Sequence, residues 1–147
     1  MTETYLTTEQ AKDFLAKYPT VQWIDVFMHD LNGIPRGKRI RSCDLLGFAD
    51  KGFIVPSTCY IMDMRGSCVE ETGRLWETGD PDLQFKILSE TLAPVAVDGT
   101  THAQAVMVPV EDDGGLDPRR ILQRQSVALG KMGFEPVTAV ELEFYVS

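Results

Sequence analysis

Apolar residues recur along this chain at two spacings, and the switches between them divide it into helices and strands. Ala11, Phe14, Leu15 and Tyr18 fall three and four residues apart, the spacing of one helix face. Thr7-Thr8-Glu9-Gln10 ahead of them has the T-x-x-Q form of a capping box and Pro19 ends the run, so a short amphipathic helix is predicted. Val21 to Met28 is rich in β-branched and aromatic residues and leads into Asn32-Gly33, which tolerates positive φ. That pattern predicts a hairpin with Ile34 to Arg41 as its returning strand. One or two helical turns follow over Asp44 to Lys51, then a short strand over Gly52 to Pro56, halted by proline.

Between Arg65 and Asp82 the glycines, proline and acidic residues are dense, which predicts loops with one short strand near Ser67 to Glu70. Leu83 to Leu88, Ala93 to Val97 and Ala105 to Val110 each read as strands, giving four or five with the first hairpin. Glu111-Asp112-Asp113-Gly114-Gly115 is acidic and without periodicity, the mark of a turn or a joint between domains. Asp117 then stands as N-cap with Pro118 at the first helical position. Ile121, Leu122, Ala128, Leu129 and Met132 form an apolar stripe up to Gly133, the C-terminal stop. Val137 to Val146 alternates at period two and is predicted as a last strand.

Composition narrows the partners. With 147 residues, 44% hydrophobic and 24% charged, the chain is of ordinary globular type. Its formal net charge of −8 sets it against nucleic acid and anionic membranes, whose phosphates most of its surface would repel, and favours a small-molecule or protein partner. No apolar run approaches the roughly 18 residues of a membrane span, and Met1 to Lys17 lacks a basic region followed by an apolar stretch. A cytoplasmic location is therefore expected. Cys43, Cys59 and Cys68 show no C-x-x-C spacing and read as small buried hydrophobes.

Three features bear on chemistry. Glu141 and Glu143 share one face of the last predicted strand, about 6.5 to 7 Å apart, a spacing at which hard oxygen ligands suit Mg²⁺ or Mn²⁺. On the pattern alone the ordinary reading is a half-buried strand with its glutamates facing water. Arg36, Lys38, Arg39 and Arg41 crowd one predicted strand. Arg36 and Lys38, on a common face, are candidate contacts for phosphate or carboxylate, and the alternative is a charged edge that discourages strand pairing. His29 and His102 stand without partners at ligand or triad spacing and read as structural. The phosphate-binding loop, dinucleotide and H-E-x-x-H zinc motifs do not occur.

Four segments nevertheless keep a fixed order: Asp30-Leu31-Asn32-Gly33-x-x-Arg36-Gly37-Lys38, Gly79-Asp80-Pro81-Asp82, Asp117-Pro118-Arg119-x-x-Leu122 and Val140-Glu141-Leu142-Glu143-Phe144-Tyr145. Together they resemble the glutamine synthetase superfamily over nearly the whole chain. The γ-glutamylpolyamine, or glutamate-putrescine, synthetase branch is the most similar, since Met62-Asp63 and Val69-Glu70-Glu71-x-Gly73 also have counterparts there. The resemblance implies an α+β chain: a β-grasp domain with a leading helix over 1–110, a joint over 111–117, and over 118–147 the first helix and strand of a larger α/β catalytic domain.

It further implies an ATP-dependent ligase that joins the glutamate γ-carboxylate to an amine through an acyl phosphate, with Glu141 and Glu143 as ligands of Mg²⁺ or Mn²⁺ and with subunits assembled as a homo-oligomeric ring. In such rings the loop corresponding to about Gly52 to Thr58 completes the neighbouring subunit's site. The family's D-G-S-S is replaced here by Val55-Pro56-Ser57-Thr58, with Val55 at the aspartate position, so an alkylamine or polyamine is expected rather than ammonium. The remaining ligands lie beyond Ser147 in the family. This chain alone is thus expected to be inactive, to bind neither ATP nor metal tightly, and to self-associate through its uncovered apolar faces. The rival reading is a non-catalytic β-grasp module used for assembly or binding.

Overall fold

Thr7 closes the first helix as its neighbours require: its Oγ1 accepts the Gln10 amide at 3.2 Å while Gln10 Oε1 accepts the Thr7 amide at 2.9 Å. In the computed structural model, which describes residues 3–96, 100–111 and 114–146, this helix α1 spans Thr8–Lys17 and buries Ala11 and Phe14. Strands β1 (Trp23–His29) and β2 (Pro35–Arg41) follow, then α2 (Leu45–Lys51) and β3 (Phe53–Pro56). After a 3-10 turn over Ser57–Ile61 and an irregular stretch come β4 (Asp82–Ile87), β5 (Ala93–Pro94) and β6 (His102–Pro109), and last α3 (Pro118–Lys131).

The strands form one six-stranded sheet in the order β2-β1-β6-β4-β3, with β5 paired to β6. At its centre β1 and β6 run parallel, Ile24 opposite Ala103, and the flanking pairs are antiparallel. This is the β-grasp arrangement. Ile24, Val26 and Met28 of β1 and Phe85 and Ile87 of β4 meet Ala11 and Phe14 of α1 and Leu45 and Ala49 of α2 in a single apolar core. Burial of that face and the caps on α1 supply the reason for the fold; the alternation in β1 places Trp23, Asp25, Phe27 and His29 outside.

Several elements differ from expectation. The β1–β2 connection is five residues long, Asp30 to Ile34 lying between the paired His29 and Pro35, so Asn32-Gly33 sits inside a wider loop and not a two-residue turn. The strand near Ser67 to Glu70 reduces to one bridge, Met62 with Cys68. Of Ala93 to Val97 only Ala93–Pro94 pairs, and Val97 lies outside the described residues, as do Asp112 and Asp113 of the predicted joint. Cys43 is exposed, while Cys59 and Cys68 are half-buried.

The helix predicted after Asp117 forms, with Asp117 Oδ1 accepting the Arg119 amide at 2.8 Å. The strand predicted over Val137 to Val146 does not: residues 134–146 carry neither helix nor strand and are exposed. Its period-two pattern is intact, but the segment pairs with no strand among the described residues, and an unpaired extended segment is not stable as a strand. No helix among the described residues is long and apolar enough to cross a membrane.

Candidate functional site

The loop singled out in the sequence begins in β3, where Phe53 and Val55 alternate with Ile54 and Pro56. The alternation sends Val55, 7% exposed, into the core, and leaves Ile54 56% exposed on the other face. Val55 thus packs against the core of this chain, with its side chain turned away from the face that carries Ile54. Ser57 and Thr58 are likewise buried, 9% and 3% exposed, in the turn that follows. What the turn can present is its backbone and its neighbours.

Two other sequence motifs converge on this segment. From one side, the Ser57 amide donates to Pro81 O at 3.0 Å and the Thr58 amide to Asp80 Oδ1 at 3.2 Å, so Gly79-Asp80-Pro81-Asp82 takes both amides. From the other, the hairpin loop holds the end of the turn: Leu31 N donates to Tyr60 O at 3.2 Å, Asn32 Nδ2 to Met62 O at 2.8 Å and an Arg36 terminal nitrogen to Asp63 O at 2.8 Å. Asp63 in turn accepts the Arg65 and Ser67 amides at 2.8 and 2.9 Å, shaping the hairpin beyond.

At the centre of that second clamp Asp30 is fully buried. Its Oδ1 accepts the amides of Asn32 and Ile34, each at 2.9 Å, and its Oδ2 accepts Arg36 Nε at 2.9 Å. Burial opposes its charge, but the Ile34 amide, the Arg36 guanidinium and the Asn32 amide outweigh it and hold the carboxyl below its ordinary 3.8. Arg36 is thus paired to Asp30 through Nε and to Asp63 O through a terminal nitrogen.

The rest of β2 behaves similarly. Arg39 forms a two-bond pair with Asp25 across the β1–β2 register at 2.7 and 2.8 Å, which lowers the Asp25 pKa, and Arg41 pairs with Asp44. Lys38 is left with no carboxylate partner among the described residues. β2 is an outer strand of the sheet, so these cations lie along one of its edges. Cys59 lies beside the same cluster, and burial, reinforced by Asp80, raises its thiol pKa.

Glu141 and Glu143 lie in the exposed terminal segment, apart from this cluster. No group of three or more His, Cys, Asp or Glu able to hold a metal occurs among the described residues. Two carboxylates do not complete the six-ligand shell Mg²⁺ requires, so the chain's own residues do not fit the ion unaided. His102 Nδ1 sits 2.9 Å from Thr101 Oγ1, and the His29 ring packs edge-on to Phe27. In the sequence Asp30 and Asp80 stand out only as members of ordered segments; for Asp30 the further signal is Asp-x-Asn-Gly, an aspartate whose side chain bonds amides two and more residues ahead.

The β-grasp sheet is the fold that the resemblance to the glutamine synthetase superfamily implies. The chain is 39% identical over 142 residues to γ-glutamylputrescine synthetase PuuA of Escherichia coli (strain K12), a match covering 95% of this chain and 30% of that protein. Among solved structures, that of the GmaS/ADP complex superposes with a TM-score of 0.58 at 16% identity, over 86% of this chain and 26% of that one, a likeness of fold. No family model matches. The chain spans 30% of the length of the first of these proteins and 26% of the second.

Proposed function

We propose that the protein carrying this sequence is an ATP-dependent ligase that joins the γ-carboxylate of glutamate to an alkylamine or polyamine. The observation that carries the proposal is the 39% identity, over 95% of this chain, to an enzyme named for γ-glutamylputrescine. In the reaction, a γ-carboxylate oxygen of glutamate attacks the terminal phosphorus of ATP and ADP leaves. The amine nitrogen then attacks the acyl phosphate, losing a proton as inorganic phosphate departs.

Residues 1–110 act as the grasp domain, 111–117 as a joint and 118–147 as the beginning of the catalytic domain. Within a homo-oligomer the grasp domain brings the Ser57–Thr58 turn to a neighbouring subunit. Glu141 and Glu143 contribute two carboxylates to a Mg²⁺ or Mn²⁺ site whose other ligands come from outside this chain, and in water the pair alone holds the ion weakly. Preference for an alkylamine over ammonium rests on the relative's name, since Val55 faces the core.

The test is ADP release by the complete protein with glutamate and a panel of amines. Putrescine-type amines are expected to exceed ammonium by about tenfold or more in kcat/KM; equal or better turnover with ammonium would contradict the proposal.

A further inference from the structure

We propose that Asp80 is a positioning residue whose carboxylate fixes the Ser57–Thr58 turn and so sets the apparent affinity for the amine; the substrate half of this rests on the ligase reading above. Among the described residues, Asp80 is the one residue other than glycine with positive φ, at +48, and Gly79 before it stands at +72. A side chain with a Cβ is disfavoured in that region and persists there where its surroundings hold it. Here the conformation carries Oδ1 to the Thr58 amide at 3.2 Å and leaves Pro81 O to accept the Ser57 amide at 3.0 Å.

Two successive amides of the turn therefore take acceptors from two successive residues of a segment remote in sequence. Its far end is gripped by Leu31, Asn32 and Arg36 through the carbonyls of Tyr60, Met62 and Asp63. Because the Ser57 and Thr58 side chains are buried, the turn's position depends on these backbone bonds. Removing the Asp80 acceptor strands the Thr58 amide in a residue nearly sealed from water, and the turn must move to satisfy it.

In the complete protein, Asp80→Gly keeps the left-handed backbone without the acceptor, whereas Asp80→Asn keeps both. D80G is expected to raise KM for the amine about tenfold, with kcat and KM for ATP within about threefold of the parent, and D80N to stay within about twofold throughout. Hydrogen exchange at the Thr58 amide is expected to accelerate in D80G alone. A parent-like amine KM in D80G, a common loss across kcat and both KM values, or a D80N variant as impaired as D80G would overturn the role. A parent protein without amine-dependent ADP release would instead overturn the ligase reading, and the Thr58 exchange comparison would then decide the positioning on its own.

Discussion

Asp30 shows how one side chain in a loop can govern several others. It is buried with its charge, satisfies two amides of its own loop and fixes the guanidinium that reaches Asp63 O. Removing one partner of such a buried pair costs about 3 to 5 kcal/mol, so Asp30→Ala is expected to lower the urea midpoint sharply. The pH dependence follows in sign. With the folded-state pKa held below the unfolded value, Asp30 stabilises the fold fully above the unfolded value, and that contribution is lost as pH falls through the folded one. Asp30→Asn should therefore lose less stability than the parent between about pH 6 and about pH 3, measured by urea unfolding at each. Residue identity was legible in Asp-x-Asn-Gly, but orientation was not. Val55 stands at a motif position where the family has aspartate, yet only its place in β3, where Phe53 is also buried, shows that it turns inward.

At the scale of elements, local signals worked where the determinants were local. The Thr7 to Gln10 box and the Asp117-Pro118 start gave both long helices to within a residue, because caps act over three or four positions. Strand ends were less legible: β6 begins at His102, ahead of the expected Ala105, since pairing with β1 and β5 recruits it. The terminal segment carries a strand pattern without a strand, because periodicity names a face and not a partner. Gly37 is a further case that sequence marks only as part of a motif. A Cβ built there would stand 2.0 Å from the carbonyl oxygen of Val26 and 2.6 Å from Cα of Phe27. Gly37→Ala must open the β1–β2 pair and is expected to cost about 2 kcal/mol or more, whereas Gly33→Ala, with open space but φ +76, should cost about 1 kcal/mol. Thermal unfolding of the two variants side by side checks the order.

For the whole molecule, sheet order was beyond sequence pattern: nothing local says that Trp23 lies beside His102. The family resemblance supplied that topology. The structure adds an asymmetry of surface, with the α1 and α2 side closed over the core while α3 and the terminal segment expose Leu122, Met132, Phe134, Leu142 and Phe144. Apolar surface of that extent associates in water. The isolated chain is expected to form dimers or larger species in light scattering at high concentration, and the double change Leu142→Ser and Phe144→Ser to reduce them; a monodisperse monomer would contradict this. The central claim, ligation through an acyl phosphate, is tested most directly in the complete protein with glutamate carrying heavy oxygen in its γ-carboxylate. The account predicts that each γ-glutamyl amide formed from a putrescine-type amine leaves one labelled oxygen in the released phosphate, and unlabelled phosphate accompanying amide formation would contradict it.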